Sequence, residues 1–319
     1  MDAVHLRPVE PERDFGQLAA LFTTEQDEPT TETGLRDDYE AHQARIFRLM
    51  AAENERGELL GFNWATISRF EASQANIYII VKPKQRQRGV GSRLYDDVEQ
   101  AAPQAGVQTL RVEARDTRPD FRSFAEKRGF NERSHSWGMS LDLKAFDDHP
   151  YDEIIARLES EGFQFTSMEA LGNTETAQRK LYALNEMTNR ETLGADGSPA
   201  WLSFEDFQEK VCGSDWYQPA GQMVVIDTAS GEWAAMSAIT RFAGADYAYN
   251  LFTGVDQPYR GRKLAQAAKT LALRYARDVL KVDTVRTNHI SKNAPIIAID
   301  RKFGYVQSPG WFSMEKTLH

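Results

Sequence analysis

The sequence predicts an α/β protein built from two copies of one mixed-sheet domain. Three observations carry that prediction. The stretches "NIYIIV" with "QRQRGVGSRLYDDVEQAA", and "NLFTGVDQPYRGRKLAQAA", each run from a strand-like segment through a basic, glycine-bearing loop into a helix. Val81 and Val255, like Arg86 and Arg260, lie 174 positions apart, and Phe130 and Tyr305, like Met139 and Met314, lie 175 apart. A near-constant offset across three separated blocks is the mark of an internal repeat. Within each copy, strands in a row are followed by a strand–helix–strand–helix run, the order expected of a mixed sheet with helices on both faces.

The elements follow in chain order. "VHLRPV" reads as a strand and "ERDFGQLAALFTT" as a helix. "IFRLMAAE" and "LLGFNWATIS" read as a hairpin turned at "NERGE". The strand "ANIYIIV", the basic loop and its helix come next, then the strand "VQTLRVEA", a helix closed by Gly129 and the strand "SWGMSLDL". The polar segment "KAFDDHPYDE" separates the copies, which places the domains at 1–146 and 150–319. "IIARLESEGF" is a short helix ending at Gly162, a residue suited to a helix C-terminus. In the second copy "QMVVID" and "WAAMSAITRF" form the hairpin, "YAYNLFTGV" the strand and "RKLAQAAKTLALRYARDVL" the helix. "VDTVRTN", "APIIAIDRKFGY" and "WFSMEKTL" complete it.

Composition narrows the function classes. A chain of 319 residues suggests two domains, and 41% hydrophobic residues suffice for packed cores. No window approaches the 18 or so apolar residues of a membrane span, and the charged start "MDAVHLRPVEPERD" does not read as a signal peptide. The single cysteine, Cys212, excludes an intrachain disulfide and a Cys-rich zinc site, so a cytoplasmic protein is the simplest reading. It reads as a packing residue rather than a nucleophile. A formal charge of −9 argues against broad nucleic-acid binding and favours cationic or amine-bearing partners.

The loop Arg86-Gln87-Arg88-Gly89-Val90-Gly91-Ser92 reads as an anion site. A helix N-terminus offers free N–H donors and the positive end of a dipole, and glycine admits close approach. A solvated basic surface loop fits the same residues. A Walker loop does not, because no Gly-Lys-Ser/Thr follows, and a dinucleotide fingerprint fails because its third glycine position holds Leu94.

The stretches "VKPKQRQRGVGSRLYDDV" and "TGVDQPYRGRKLAQAAKTLALRYA" resemble the acetyl-coenzyme A motif of the Gcn5-related N-acetyltransferases (GNAT), Arg/Gln-x-x-Gly-x-Gly/Ala after a strand and opening a helix. "TVRTNHISKNAPIIAIDRKFGY" is similar to the later part of that fold. The resemblance covers essentially the whole chain as a tandem, similar in layout to the tandem mycothiol synthases. It implies two acyl-CoA N-acyltransferase domains, each with a splayed central sheet, and acetyl-CoA (CoA) as the anion. A bulge in each central strand would expose backbone groups to the pantetheine arm, at Ile80, Val81 and Lys82 in one copy and Thr253, Gly254 and Val255 in the other. The diphosphate would rest on the amides of Arg86 to Ser92, and on Arg260, Gly261, Arg262, Lys263, Leu264 and Ala265. Asn293 matches an asparagine that contacts the cofactor arm, with Arg118 near its place in the first copy. Two departures stand out. Lys263 occupies the place of a loop glycine, and the tyrosine that serves the family as an acid is Ala125 in one copy and Asp300 in the other.

The implied chemistry is direct transfer of an acetyl group to an amine, expected to be a small molecule, without a covalent enzyme intermediate. A base is then wanted near the splay. The candidates are Glu113 and Asp116 in the first copy and Asp246, Tyr249 and His289 in the second. Each also reads as an ordinary polar group at a strand end. The acidic run over 23–40, with Glu25, Asp27, Glu28, Glu32, Asp37, Asp38 and Glu40, reads as an acceptor wall or as a solvated face; Trp201, Phe204 and Phe207 in the second copy read as a lid or as an amphipathic helix. Three alternatives remain open: a non-catalytic acyl-CoA sensor, a tandem with one degenerate domain, and a scaffold with vestigial sites. The chain is expected as a monomer or homodimer.

Overall fold

The computed structural model describes residues 4–25, 30–68, 71–193 and 203–318, with side chains of 188–193 left aside. Asp27, Glu28 and Trp201 lie outside the described residues. Two compact units are formed: one from Met1–Arg133 with Phe312–His319, the other from Ser134–Trp311.

The first unit opens with β1 (His5–Pro8), α1 (Pro11–Thr23) and α2 (Glu32–His42). β2 (Ile46–Glu53), β3 (Leu59–Ile67) and β4 (Gln74–Val81) follow as an antiparallel meander. α3 (Val90–Ala101), β5 (Thr109–Arg115) and α4 (Pro119–Glu126) complete the local run. Its sheet is ordered β1-β2-β3-β4-β5, and the end of the last strand of the chain lies next to β5. On one face Phe15, Phe22, Phe62 and Trp64 pack together, with Phe22 and Phe62 ring centres 5.0 Å apart. On the other, Tyr95, Val98, Leu110 and Phe130 enclose Met314, which is fully buried.

The second unit begins with β6 (Asn131–Asp142), then α5 (Asp152–Ser160), β7 (Phe163–Ser167), α6 (Glu175–Leu193) and α7 (Phe204–Phe207). β8 (Gln222–Asp227), β9 (Trp233–Thr240), β10 (Ala248–Val255), α8 (Leu264–Asp278), β11 (Thr284–Ile290), α9 (Ala294–Phe303) and β12 (Val306–Thr317) follow. The sheet order is β7-β8-β9-β10-β11-β6, with the start of β12 beside β6. β6 pairs antiparallel with β11 from Ser136–Ile290 to Asp142–Thr284 and contributes Met139 and Leu141 to the core around Leu273 and Phe303. Gly138 and Gly310 are required where β6 and β12 meet: a Cβ on Gly310 would lie 1.9 Å from the Ser136 carbonyl oxygen. The segment between the sequence copies is held on this unit. Asp148 accepts from Arg274 at 2.5 Å and Arg277 at 3.1 Å, and Tyr151 stacks on Phe303 at 4.5 Å. Burial alone would raise the Asp148 carboxyl; the two guanidinium groups outweigh it and hold the group at about 2.

The last strand of each sequence copy therefore serves the unit built mainly from the other. β6 ends the first copy and completes the second unit; residues 312–318 end the second copy and fill the first. Among the described residues no helix is long and apolar enough to cross a membrane.

This arrangement makes a specific prediction about fragments. Residues 1–146 expressed alone lack Met314, Phe312 and Leu318 and expose the apolar side chains around them. Circular dichroism and hydrogen exchange are expected to show a poorly protected, aggregation-prone fragment; a soluble, cooperatively unfolding one would contradict the exchange. Adding back a peptide of residues 306–319 is expected to raise its protection.

Candidate functional site

Each unit contains a pair of parallel strands that begin together and then part. β4 and β5 pair only over Gln74–Asn76 with Thr109–Arg111. β10 and β11 pair only at Ala248–Val285 and Tyr249–Arg286. Beyond those residues each gap is flanked by strand edges whose backbone groups have no ladder partner, which must be met by water, side chains or a ligand.

At the open end of each gap the chain turns into a helix along the same path. In the first unit Pro83–Gln85 forms a 3₁₀ turn, Arg86 is extended, Gln87 and Gly89 have φ of 59° and 85°, and α3 begins. In the second, Gln257–Tyr259 forms the turn, Arg260 is extended, Gly261 and Lys263 have φ of 80° and 71°, and α8 begins. Both loops thus need two left-handed residues at the same places, and each has glycine at only one of them. The Lys263 backbone takes the glycine conformation of Gly89, at a strain of about 1–2 kcal/mol for an L-residue. No side chain caps α3 or α8. The first-turn N–H groups are therefore left for solvent or an anion, an arrangement that fits a diphosphate.

The motif arginines do something other than wait for phosphate. Arg86 Nε donates to the Val81 carbonyl at 3.0 Å, and Arg260 Nε donates to the Val255 carbonyl at 3.1 Å. In both units this bond ties the loop to the end of its strand. The Arg86 guanidinium also pairs with Glu25, which accepts from Arg118 at 3.0 Å on its other oxygen. Arg118 lies 3.8 Å from the centre of the Phe121 ring. Glu25 from the acidic run thus joins the β4–α3 loop to the start of α4. Arg88 is exposed, Ser92 Oγ accepts from Arg128 at 2.6 Å, and Arg262 pairs with Glu161 at 2.9 Å.

The strands correct two expectations. Of the two central strands β4 and β10, it is β10 that is bulged, between Asn250 and Phe252; β4 runs in regular register against β3 from Ile67–Ala75 to Gly61–Val81. The bulge is held by buried Asn250, whose amide donates to the Ala238 carbonyl at 2.8 Å, while Thr287 Oγ1 donates to the Asn250 carbonyl at 2.9 Å. A side chain here takes over ladder bonds that the displaced backbone gives up. Secondly, strand alternation sorts the residues assigned to the arm. Lys82 N–H donates to Leu60 and Asp256 N–H to Ala234, so Lys82, Ile80 and Gly254 turn their backbone groups toward the neighbouring strand. Val81, Thr253 and Val255 turn theirs toward the gap.

The candidate acid–base residues separate as follows. Glu113 stands on β5 past the last paired residue; its side chain is exposed, yet protein crowds it enough that desolvation raises its carboxyl above the usual range. Tyr78 across the gap, 44% exposed, is raised by the same desolvation and by the charge of Glu113. Asp116 is half-buried in the turn after β5. Asp246 is exposed in the turn entering β10, at the closed end of the splay, and is not brought to His289. Tyr249 sits at the last paired position, its ring 6.0 Å from Phe242. His289 lies in the open part of β11, and its Nε2 meets Asp300 at 2.7 Å. Asn293 immediately precedes α9, the place that Arg118 takes before α4. Lys269 and Asp300, both fully buried and paired, were not reached by sequence reasoning as site residues. A charged residue at a core-facing position of the α8 helix was the available signal.

Elsewhere, Phe204 and Phe207 are buried in α7, as an amphipathic helix requires. The Cys212 thiol is half-buried, and desolvation pushes it up to about 11, so it is a packing residue.

Residues 15–130 match the acetyltransferase (GNAT) family. The first copy is a GNAT domain. The chain as a whole has the tandem GNAT fold. It is similar to a tandem GNAT protein from the clavulanic acid biosynthesis pathway, at 18% identity and TM-score 0.73 over 99% of this chain and 98% of that one. A GCN5-related N-acetyltransferase from Sphaerobacter thermophilus is 19% identical with TM-score 0.68, over 98% and 95% of the two chains. A glucosamine N-acetyltransferase region in a fungal multi-domain β-N-acetylglucosaminidase is 14% identical with TM-score 0.76, over 99% of this chain and 38% of that one. No protein of curated function matches the sequence. The tandem GNAT fold accounts for two loops of one geometry at two splayed strand pairs.

The left-handed turn at Lys263 is open to measurement. In an ordinary helix start alanine is more stable than glycine by up to about 1 kcal/mol. At position 263 the order is expected to reverse, with Lys263→Gly more stable than Lys263→Ala by about 1 kcal/mol in denaturant unfolding. Equal or opposite stabilities would contradict the loop geometry.

Proposed function

We propose that the protein is an N-acetyltransferase that uses acetyl-CoA and an amine acceptor, with transfer in the second unit. The observation that carries this reading is the β10–β11 gap: a bulged strand edge at Asn250–Phe252 beside an uncapped helix start at Lys263–Ala265. Thr253 and Val255 offer backbone groups along the gap, and the amides opening α8 offer donors for a diphosphate. The thioester supplies the acyl group. The chain's own part is to align the arm, exclude water and manage one proton. A net charge of −9 favours a cationic, amine-bearing small molecule as acceptor, and one cysteine suits a cytoplasmic setting.

The first unit reads as the degenerate partner, because β4 has no bulge and Glu25 already bridges the loop and α4. The second reading reverses the roles, and the observation favouring it is Glu113, a carboxyl with raised proton affinity on the edge of the β4–β5 gap.

Calorimetric titration of the full chain with acetyl-CoA tests both. Binding is expected, kept in Gly89→Glu and lost in Ala265→Glu, followed by acetylation when amines are screened. Loss in Gly89→Glu alone would favour the reversed roles. No binding below millimolar concentration would overturn the acyl-CoA reading.

A further inference from the structure

The two units differ at three equivalent positions that meet in the second unit. Where the first unit has Tyr95, Arg115 and Ala125, the second has Lys269, His289 and Asp300, at the repeat offsets of 174 and 175. In the second unit these come from three elements, α8, β11 and α9, and they form one chain of contacts. Lys269 Nζ pairs with one oxygen of Asp300, and the other oxygen lies 2.7 Å from His289 Nε2. Lys269 and Asp300 are fully buried, while the His289 side chain is 11% exposed. Lys269 Nζ also lies 4.6 Å from the centre of the buried Tyr305 ring. Across the strand pair, His289 faces Trp137 on β6, with the His135 ring edge-on to that tryptophan at 6.2 Å.

Burying a lysine and an aspartate is costly unless the pair is used or fully satisfied. Here the carboxylate has two partners. Burial would raise Asp300; the His289 hydrogen bond and the Lys269 charge outweigh it and keep the carboxyl below its usual range. A carboxylate at Nε2 makes that nitrogen the N–H donor, so the neutral ring carries its lone pair on Nδ1. Nδ1 has no hydrogen bond among the described residues. It belongs to a residue three past the last β10–β11 pair, in the open gap.

Building on the reading of the second unit as an acyl-CoA transferase, we propose that His289 is its proton-holding catalytic residue and that Asp300 and Lys269 are the positioning residues that fix its tautomer and charge. As the amine nitrogen bonds to the acyl carbon, the carbon–sulfur bond breaks and its electron pair leaves on sulfur. The proton lost by nitrogen is taken by His289 Nδ1 and returned to that sulfur, which leaves as a thiol with the ring neutral again. The group that holds the proton thus stands one contact away from position 300, on the neighbouring strand. The first unit carries Tyr95, Arg115 and Ala125 at the equivalent positions.

The test is imidazole ¹⁵N NMR of the full chain, whose six histidines make assignment by loss in His289→Gln direct. In the parent protein, CoA is expected to move the His289 Nδ1 resonance. In Asp300→Asn the His289 ring is expected to lose its fixed tautomer, read as a change in the pattern of its Nδ1 and Nε2 resonances, because the carboxylate that holds the proton on Nε2 is gone. CoA binding with an unmoved Nδ1 would overturn the role of His289 while leaving the acyl-CoA reading intact. A His289 tautomer unchanged in folded Asp300→Asn would overturn the positioning role. The parent measurement stands even where a variant fails to fold. Absence of any CoA binding by calorimetry would instead remove the transferase reading on which the proposal rests.

Discussion

Two parallel strands that pair for two residues and then separate create the condition on which the second unit depends. Parallel ladders are normally buried and continuous, so parting strands leave edge groups that something must satisfy. In this protein the gap is held open by local bonds. Asn250 holds the bulge against β9, Thr287 reaches from β11 to the Asn250 carbonyl, and Arg260 ties the following loop to Val255. The loop then has one way into α8, through two left-handed residues, and that path aims the first amides of the helix at the mouth of the gap.

The comparison of the two units shows which parts of this design tolerate change. The backbone path of the loop is kept even though glycine has moved from one left-handed position to the other. The arginine bond to the strand end is kept in both. The bulge and the Lys269–Asp300–His289 contacts are found in the second unit, and the Glu25 bridge in the first. Shared geometry with divergent chemistry is what duplication followed by specialisation produces. It supports different duties for the two gaps.

Much of the frame was legible in the sequence because strand and helix periodicities are local. The repeat, the basic loops and the helices behind them follow from residue pattern alone. The repeat raises the question of an exchange of the last strands but pattern does not decide it, for a physical reason: "SWGMSLDL" and "WFSMEKTL" present the same alternation, so either fits beside either partner and only tertiary packing selects. The missing bulge in β4 was also hidden, because Asn76 and Asn250 occupy equivalent positions and only one holds a displaced backbone. His289 could be placed at a strand end, but its contact with Asp300 depends on how α9 docks. Lys269 was concealed within a helix whose other core positions are alanine, leucine and Thr270.

Hydrogen exchange of the full chain with and without saturating acetyl-CoA tests the central claim most directly, namely that the β10–β11 gap and the start of α8 receive the donor. The account predicts slower exchange in peptides covering 250–266, at Thr253, Val255 and the amides after Lys263, with little change over 76–92. Unchanged exchange across 250–266 under conditions where acetyl-CoA binds would contradict it.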